Sequence, residues 1–188
     1  KYTGIVFQKG IAEKYSKEIK KSKIPLILKL NGKTKLFKGE PISTPICTVD
    51  EAINLGADAI GYTIYIGSEH EAEMFKDFDE IEKKAHDLGI PVITWIYPRG
   101  KSIRNDVSRE NIAYSARTGL EIGADIVKLK YGNNKDDLKW AVKSAGRCKV
   151  VIAGGVKKSE TEFLKQVKDI MKSGASGLAI GRNAWQSK

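Results

Sequence analysis

Residues 122–131 read Ile122-Gly123-Ala124-Asp125-Ile126-Val127-Lys128-Leu129-Lys130-Tyr131. Gly123 can take a left-handed helix C-cap, and a tight turn follows. Ile126, Val127 and Leu129 then supply a short apolar strand bracketed by Gly123 and Gly132. The same wording occurs at Leu55-Gly56-Ala57-Asp58-Ala59-Ile60, with a weaker copy at Ser173-Gly174-Ala175-Ser176-Gly177-Leu178. At Lys23-Ile24-Pro25-Leu26 and Gly89-Ile90-Pro91-Val92, proline stops the helix and the strand follows.

Working outward from these junctions, strands are predicted near Ile5–Phe7, Leu26–Leu30, Ala59–Tyr65, Val92–Ile96, Ile126–Lys130, Val150–Ala153 and Gly177–Ile180, with helical stretches between most of them. Thr48-x-x-Glu51 and Ser159-x-x-Glu162 read as capping boxes, and Ser108 as the cap of the helix ending at Gly123. Asn31–Pro45 looks irregular. Alternating strand and helix means a parallel α/β architecture. An open doubly wound sheet and a (β/α)8 barrel both suit the spacing. No Gly-x-Gly-x-x-Gly follows an early strand, which weakens the dinucleotide-binding option. The glycines cluster instead after the last two strands, where a barrel phosphate site usually sits.

The chain of 188 residues, 41% hydrophobic, is long enough for a real core and is not a disordered chain. No apolar run spans a bilayer, so no membrane partner is expected, and no signal-peptide pattern is present. Cys47 and Cys148 form no framework, which fits a reducing cytoplasm. The net charge of +10 is compatible with nucleic acid, a heat-adapted surface or an anionic small substrate. The lysines are spread and no aromatics interleave with them, which favours the anionic substrate together with a solvated surface over nucleic acid. No linker divides the chain, so one domain over residues 1–188 is expected.

Lys128 and Lys130 point to the same face of their strand as Ile126. Taken alone, the stretch favours lysines at a strand end reaching solvent. In an interior, a lysine is costly unless it is paired or its pKa falls, and the resulting neutral amine suits carbonyl chemistry. His70 and His86, the only two histidines, give neither a set of metal ligands nor a strand-end triad base, so lysine remains as the nucleophile. Gly154-Gly155 and Gly181-Arg182-Asn183 end consecutive strands. Their backbone N–H groups could approach phosphate oxygens, with Arg182 adding a charged fork. Trp95 and Tyr97 share a face, and Pro98 should leave the phenol at the mouth as an acid–base group or a rim residue. Arg99 reads as an anion ligand or a surface salt bridge, and Thr63 and Tyr65 as core and mouth lining.

Taken together, Gly61-Tyr62-Thr63-Ile64-Tyr65, Tyr97-Pro98-Arg99-Gly100, Ala124-Asp125-Ile126-Val127-Lys128, Gly154-Gly155 and Gly181-Arg182-Asn183-Ala184-Trp185-Gln186 resemble archaeal-type class I fructose-bisphosphate aldolase, the DhnA-like family, over almost the whole chain. The resemblance implies a (β/α)8 TIM barrel and a Schiff-base mechanism with no metal or other cofactor. It implies a phosphorylated sugar substrate and a homo-oligomer. It assigns the Schiff-base lysine to Lys128 rather than Lys130, the acid–base tyrosine to Tyr97, its companion to Trp95, and phosphate contacts to Gly154, Gly155, Gly181 and Arg182, with Arg99 a further candidate. The family's first strand, carrying Asp-His-Gly, and its last helix have no counterpart in the chain, so the barrel is expected to be incomplete at both ends. Lys130 is expected to raise the local positive potential and depress the pKa of Lys128. The motifs also fit relatives that make aminodideoxyheptulosonate or deoxyketofructose phosphate by a transaldolase-like synthesis. A non-catalytic nucleic-acid-binding protein is the distant alternative.

Overall fold

Gly56, Gly123 and Gly174 adopt φ of +84°, +85° and +89°, left-handed values at which a side chain would be strained. Each ends a helix and turns the chain into a strand, as the repeated wording predicts. The computed structural model describes residues 2–34, 36–132 and 134–186; the domain's expected end residues, Lys1 and Lys188, lie outside them. The elements run β1 (Ile5–Gln8), α1 (Lys9–Lys14), α2 (Ser16–Ser22), β2 (Leu26–Lys29), β3 (Asn31–Gly32), β4 (Thr44–Pro45), α3 (Val49–Asn54), β5 (Ala59–Ile66), α4 (Glu71–Asp87), β6 (Val92–Pro98), α5 (Arg109–Glu121), β7 (Ile126–Leu129), α6 (Lys135–Ser144), β8 (Lys149–Ala153), α7 (Glu160–Lys172), β9 (Gly177–Ala179) and α8 (Arg182–Trp185). All seven predicted strands are present. Among its described residues the irregular segment holds only the short antiparallel pair β3–β4. Both capping boxes form, and Ser108 Oγ accepts from the Asn111 N–H at 3.2 Å.

The seven long-range strands are parallel and hydrogen-bond in the order β1-β2-β5-β6-β7-β8-β9. Their spatial order follows the chain without reversal, whereas a doubly wound sheet must reverse once. That decides between the two candidate architectures. The sheet is a curled half-barrel of the TIM-barrel type, with β1 and β9 at its edges among the described residues.

The aspartates of the two full repeats have a role that spacing alone does not show. Asp58 Oδ2 accepts from the Leu26 N–H at 2.8 Å, and Asp125 Oδ2 from the Val92 N–H at 2.8 Å. Leu26 and Val92 are the residues just after Pro25 and Pro91. Each Gly-Ala-Asp turn therefore caps the first donor of the neighbouring strand and holds the sheet in register at its N-terminal end. Alternation then assigns the two faces. The convex face carries Leu26, Leu28, Ile60, Tyr62, Ile64, Val92, Ile96, Val127, Leu129, Val150 and Ile152, all buried in one continuous core. The concave face holds a separate small cluster of Ala59, Ile93 and Trp95, flanked by Ile27, Tyr97 and Ile126.

Candidate active site

β7 places Lys128 between Val127 and Leu129, which are buried on the opposite, convex face. Its main-chain neighbours are Trp95 on β6 and Val151 on β8. The Lys128 Nζ lies 5.0 Å from the centroid of the Trp95 ring, and among the described residues no carboxylate pairs with it. Burial lowers its pKa to about 8, and the positive charge of Lys29 adds to the shift. Trp95 is only 6% exposed. Gly61 makes room for the indole: a Cβ at Gly61 would stand 2.6 Å from a ring carbon of Trp95.

Lys130, by contrast, lies just beyond β7 and forms an ion pair with Asp106. The expectation that Lys130 depresses the pKa of Lys128 is therefore corrected. Asp106 offsets the Lys130 charge, and the cation acting on Lys128 is Lys29. Lys29 occupies the concave face of β2, and burial lowers its own pKa to about 8. Its Nζ donates to the Asn31 carbonyl at 2.5 Å. Sequence reasoning missed Lys29, although the signal was the same one that singled out Lys128, a lysine inside an apolar strand: Leu26-Ile27-Leu28-Lys29-Leu30.

Tyr97 stands on the same face as Trp95 near the C-terminal end of β6, half-buried, with the Lys130 Nζ 5.8 Å from its ring centroid. Burial and the neighbouring Tyr65 push its pKa up, against a smaller opposing effect of Arg99, so the phenol is held protonated. Arg99 lies 5.6 Å from the Tyr65 ring centroid and Lys33 lies 5.4 Å from it. Two cations thus gather on one aromatic at the mouth. Lys33 is a second residue that the sequence reading did not single out.

The two glycine turns come together as anticipated, and side chains hold them there. Asn183 Nδ2 donates to the Gly154 and Val156 carbonyls, each at 2.9 Å, and its Oδ1 accepts from the Lys158 N–H at 2.8 Å. Arg182 donates to the Gly155 carbonyl at 3.0 Å. The Gly154 N–H is engaged by the Ala179 carbonyl at 3.1 Å, which ties the ends of β8 and β9. Gly155, at φ +73°, meets open space where a Cβ would stand. Gly181 packs against the Trp185 ring, 3.0 Å from an added Cβ.

Fold and site together define a class: a parallel half-barrel with an amine on its concave face that no carboxylate pairs among the described residues, and a glycine cradle at the ends of its last two strands. The chain belongs to the DeoC/LacD family of aldolases, whose family model matches residues 2–187. It is 48% identical over 188 residues to the class 1 fructose-bisphosphate aldolase of Thermoproteus tenax, covering all of this chain and 70% of that protein. It is 39% identical over 197 residues to the fructose-bisphosphate aldolase/6-deoxy-5-ketofructose 1-phosphate synthase of Methanocaldococcus jannaschii, covering 99% of this chain and 63% of that one. A solved archaeal fructose-1,6-bisphosphate aldolase, with its catalytic lysine covalently bound to the carbinolamine intermediate of the substrate, superposes with a TM-score of 0.94 at 47% identity, covering 99% of this chain and 73% of that one.

Proposed function

We propose that the protein is a class I fructose-1,6-bisphosphate aldolase that cleaves its substrate reversibly to dihydroxyacetone phosphate and glyceraldehyde 3-phosphate through a Schiff base on Lys128. The observation that carries this reading is the half-buried Lys128 amine, without a carboxylate partner among the described residues and with its pKa lowered to about 8, so that a useful fraction is neutral near neutral pH. The 47–48% identical aldolases support it.

Lys128 adds to the C2 ketone, giving a carbinolamine. The Tyr97 phenol, held protonated by burial, can donate to the departing hydroxyl as water leaves and the iminium forms. The resulting phenolate is then the base for the C4 hydroxyl. Taking that proton lets C3–C4 break, the bonding electrons pass into the enamine, and the aldehyde product departs. Protonation at C3 and hydrolysis of the iminium release the second product. Trp95 positions Tyr97 and gives the Lys128 amine an apolar wall. Gly155, Gly181 and Arg182, braced by Gly154 and Asn183, hold one phosphate. Arg99 and Lys33, gathered on Tyr65, hold the other.

The cytoplasm as workplace and a homo-oligomer as the working form belong to the same proposal. For the oligomer, the exposed Tyr114 on α5 and Trp140 on α6 offer contact area on the outer helices. No helix among the described residues is long and apolar enough to cross a membrane. The decisive assay is cleavage of fructose 1,6-bisphosphate, followed by coupled reduction of the triose phosphates, in the presence of a chelator. Activity that survives the chelator is expected; no cleavage at all contradicts the reading. The bifunctional Methanocaldococcus relative motivates one second reading, a transaldolase-like synthase. Turnover that requires an added aldehyde acceptor would select it.

A further inference from the structure

Lys29 and Lys128 share one face of the sheet, although β2 and β7 are separated in it by β5 and β6. Gly61 lies beside Lys29 on the neighbouring strand. A Cβ there would stand 3.5 Å from the Lys29 Cα and 2.6 Å from the Trp95 ring, so the indole reaches over the glycine towards the β2 backbone. The Lys128 Nζ lies 5.0 Å from the centroid of that same indole. The Lys29 amine is not loose. Its acceptor, the Asn31 carbonyl, belongs to a residue locked by buried hydrogen bonds: Nδ2 to the Ser43 carbonyl at 2.9 Å and to the Thr63 carbonyl at 2.8 Å, and Oδ1 from the Thr63 N–H at 2.8 Å.

A carbonyl oxygen holds a cation without cancelling its charge. Among the described residues no carboxylate pairs with Lys29, whereas Lys130 pairs with Asp106. The groups facing the two amines leave the charge uncompensated. Gln8 on β1 and Gly61 on β5 flank Lys29 in register; Trp95 on β6 and Val151 on β8 flank Lys128. Tyr65 and Tyr97 are phenols held protonated by burial. Lys33 and Arg99 at the mouth are cations themselves. Lys149 lies beside Ile126 at the opposite end of its strand.

We propose that Lys29 is a positioning residue of the aldol reaction: a second half-buried amine, fixed by the Asn31 carbonyl, whose charge on the face it shares with Lys128 keeps the nucleophilic amine free of its proton. The proposal rests on the Schiff-base reading of Lys128. Two half-buried amines on one face do not both hold a proton as readily as either would alone. The charge that Lys29 carries on the Asn31 carbonyl makes a proton on Lys128 less favourable.

The test is the pH dependence of borohydride trapping with fructose 1,6-bisphosphate, in the full chain and in Lys29→Met and Lys29→Arg variants. In the parent protein the adduct maps to Lys128 and trapping rises through a limb near pH 8. Lys29→Met removes the neighbouring charge, so the limb moves to higher pH, on the order of half a unit or more. Lys29→Arg makes that charge permanent, so the limb stays or moves to lower pH. Opposite behaviour of the two variants is what a merely structural role would not give. Limbs that move together, a Lys29→Met limb that does not move, or an adduct on Lys29 itself would overturn the proposal. Should Lys29→Met not fold, a Lys29→Arg limb moved to higher pH overturns it alone. No adduct on any lysine of the parent protein would instead sink the Schiff-base reading.

Discussion

Val127 and Lys128 are adjacent on β7 and live in different solvents. Val127 faces the helices, fully buried in the main core, and Leu129 beside it is equally enclosed. Lys128 faces the concave side, where the apolar cluster is small and the remaining positions carry Lys29, Tyr65 and Tyr97. A two-residue period lets one strand anchor the fold with Val127 and Leu129 and turn Lys128 to the opposite face. The lesson sharpens two residues further along. Lys130 shares the face of Lys128, yet Asp106 neutralises it at the rim. Depth on the concave face and the lack of a carboxylate partner among the described residues, more than residue type, set Lys128 apart from Lys130.

The comparison breaks if the two faces do not respond differently. Lys128→Met should lower cleavage of fructose 1,6-bisphosphate by about five orders of magnitude or more, measured by the coupled assay. The variant should melt no lower than the parent, since a half-buried amine has been replaced by an apolar chain of similar length. Tyr97→Phe should reduce turnover by roughly 10²- to 10⁴-fold, while borohydride still yields some adduct at Lys128. On the convex face, Leu129→Ala should cost about 2–5 kcal/mol in urea denaturation, with turnover of the folded fraction little changed.

The amines also predict a pH dependence of stability. Lys128 and Lys29 fall from 10.5 to about 8 on folding, so between those values the unfolded chain binds more protons than the folded one. The unfolding free energy therefore rises with pH from about 8 towards 10.5. Denaturation across that window in a Lys29→Met, Lys128→Met double variant should show a flatter rise. The smallest effect is expected for Asp106→Asn. Its pair with Lys130 is partly exposed, so stability should change by about 1 kcal/mol or less.

Local chemistry made much of the fold legible. Left-handed glycines, prolines ahead of strands, and Ser and Thr caps act over three or four residues, and the strands and caps they mark are present. Choosing a barrel over a doubly wound sheet needed the spatial order of strands, which periodicity does not carry. At the site, alternation put Trp95 and Tyr97 on one face, and the two glycine turns do meet. Asp106 was out of reach because it lies 24 residues from Lys130 in a segment without periodic structure. Asn31 was hidden by the irregular stretch it anchors. Lys29 carries the same signal as Lys128, a lysine in an apolar strand, but stands outside the motifs that carry the family resemblance.

The most direct measurement is peptide mapping by mass spectrometry after borohydride reduction of the protein with fructose 1,6-bisphosphate. A single stable adduct on the peptide carrying Lys128, with the Lys130 and Lys29 side chains unmodified, is the predicted result. An adduct on either of those two lysines, or substrate cleavage with no lysine labelled, would contradict it.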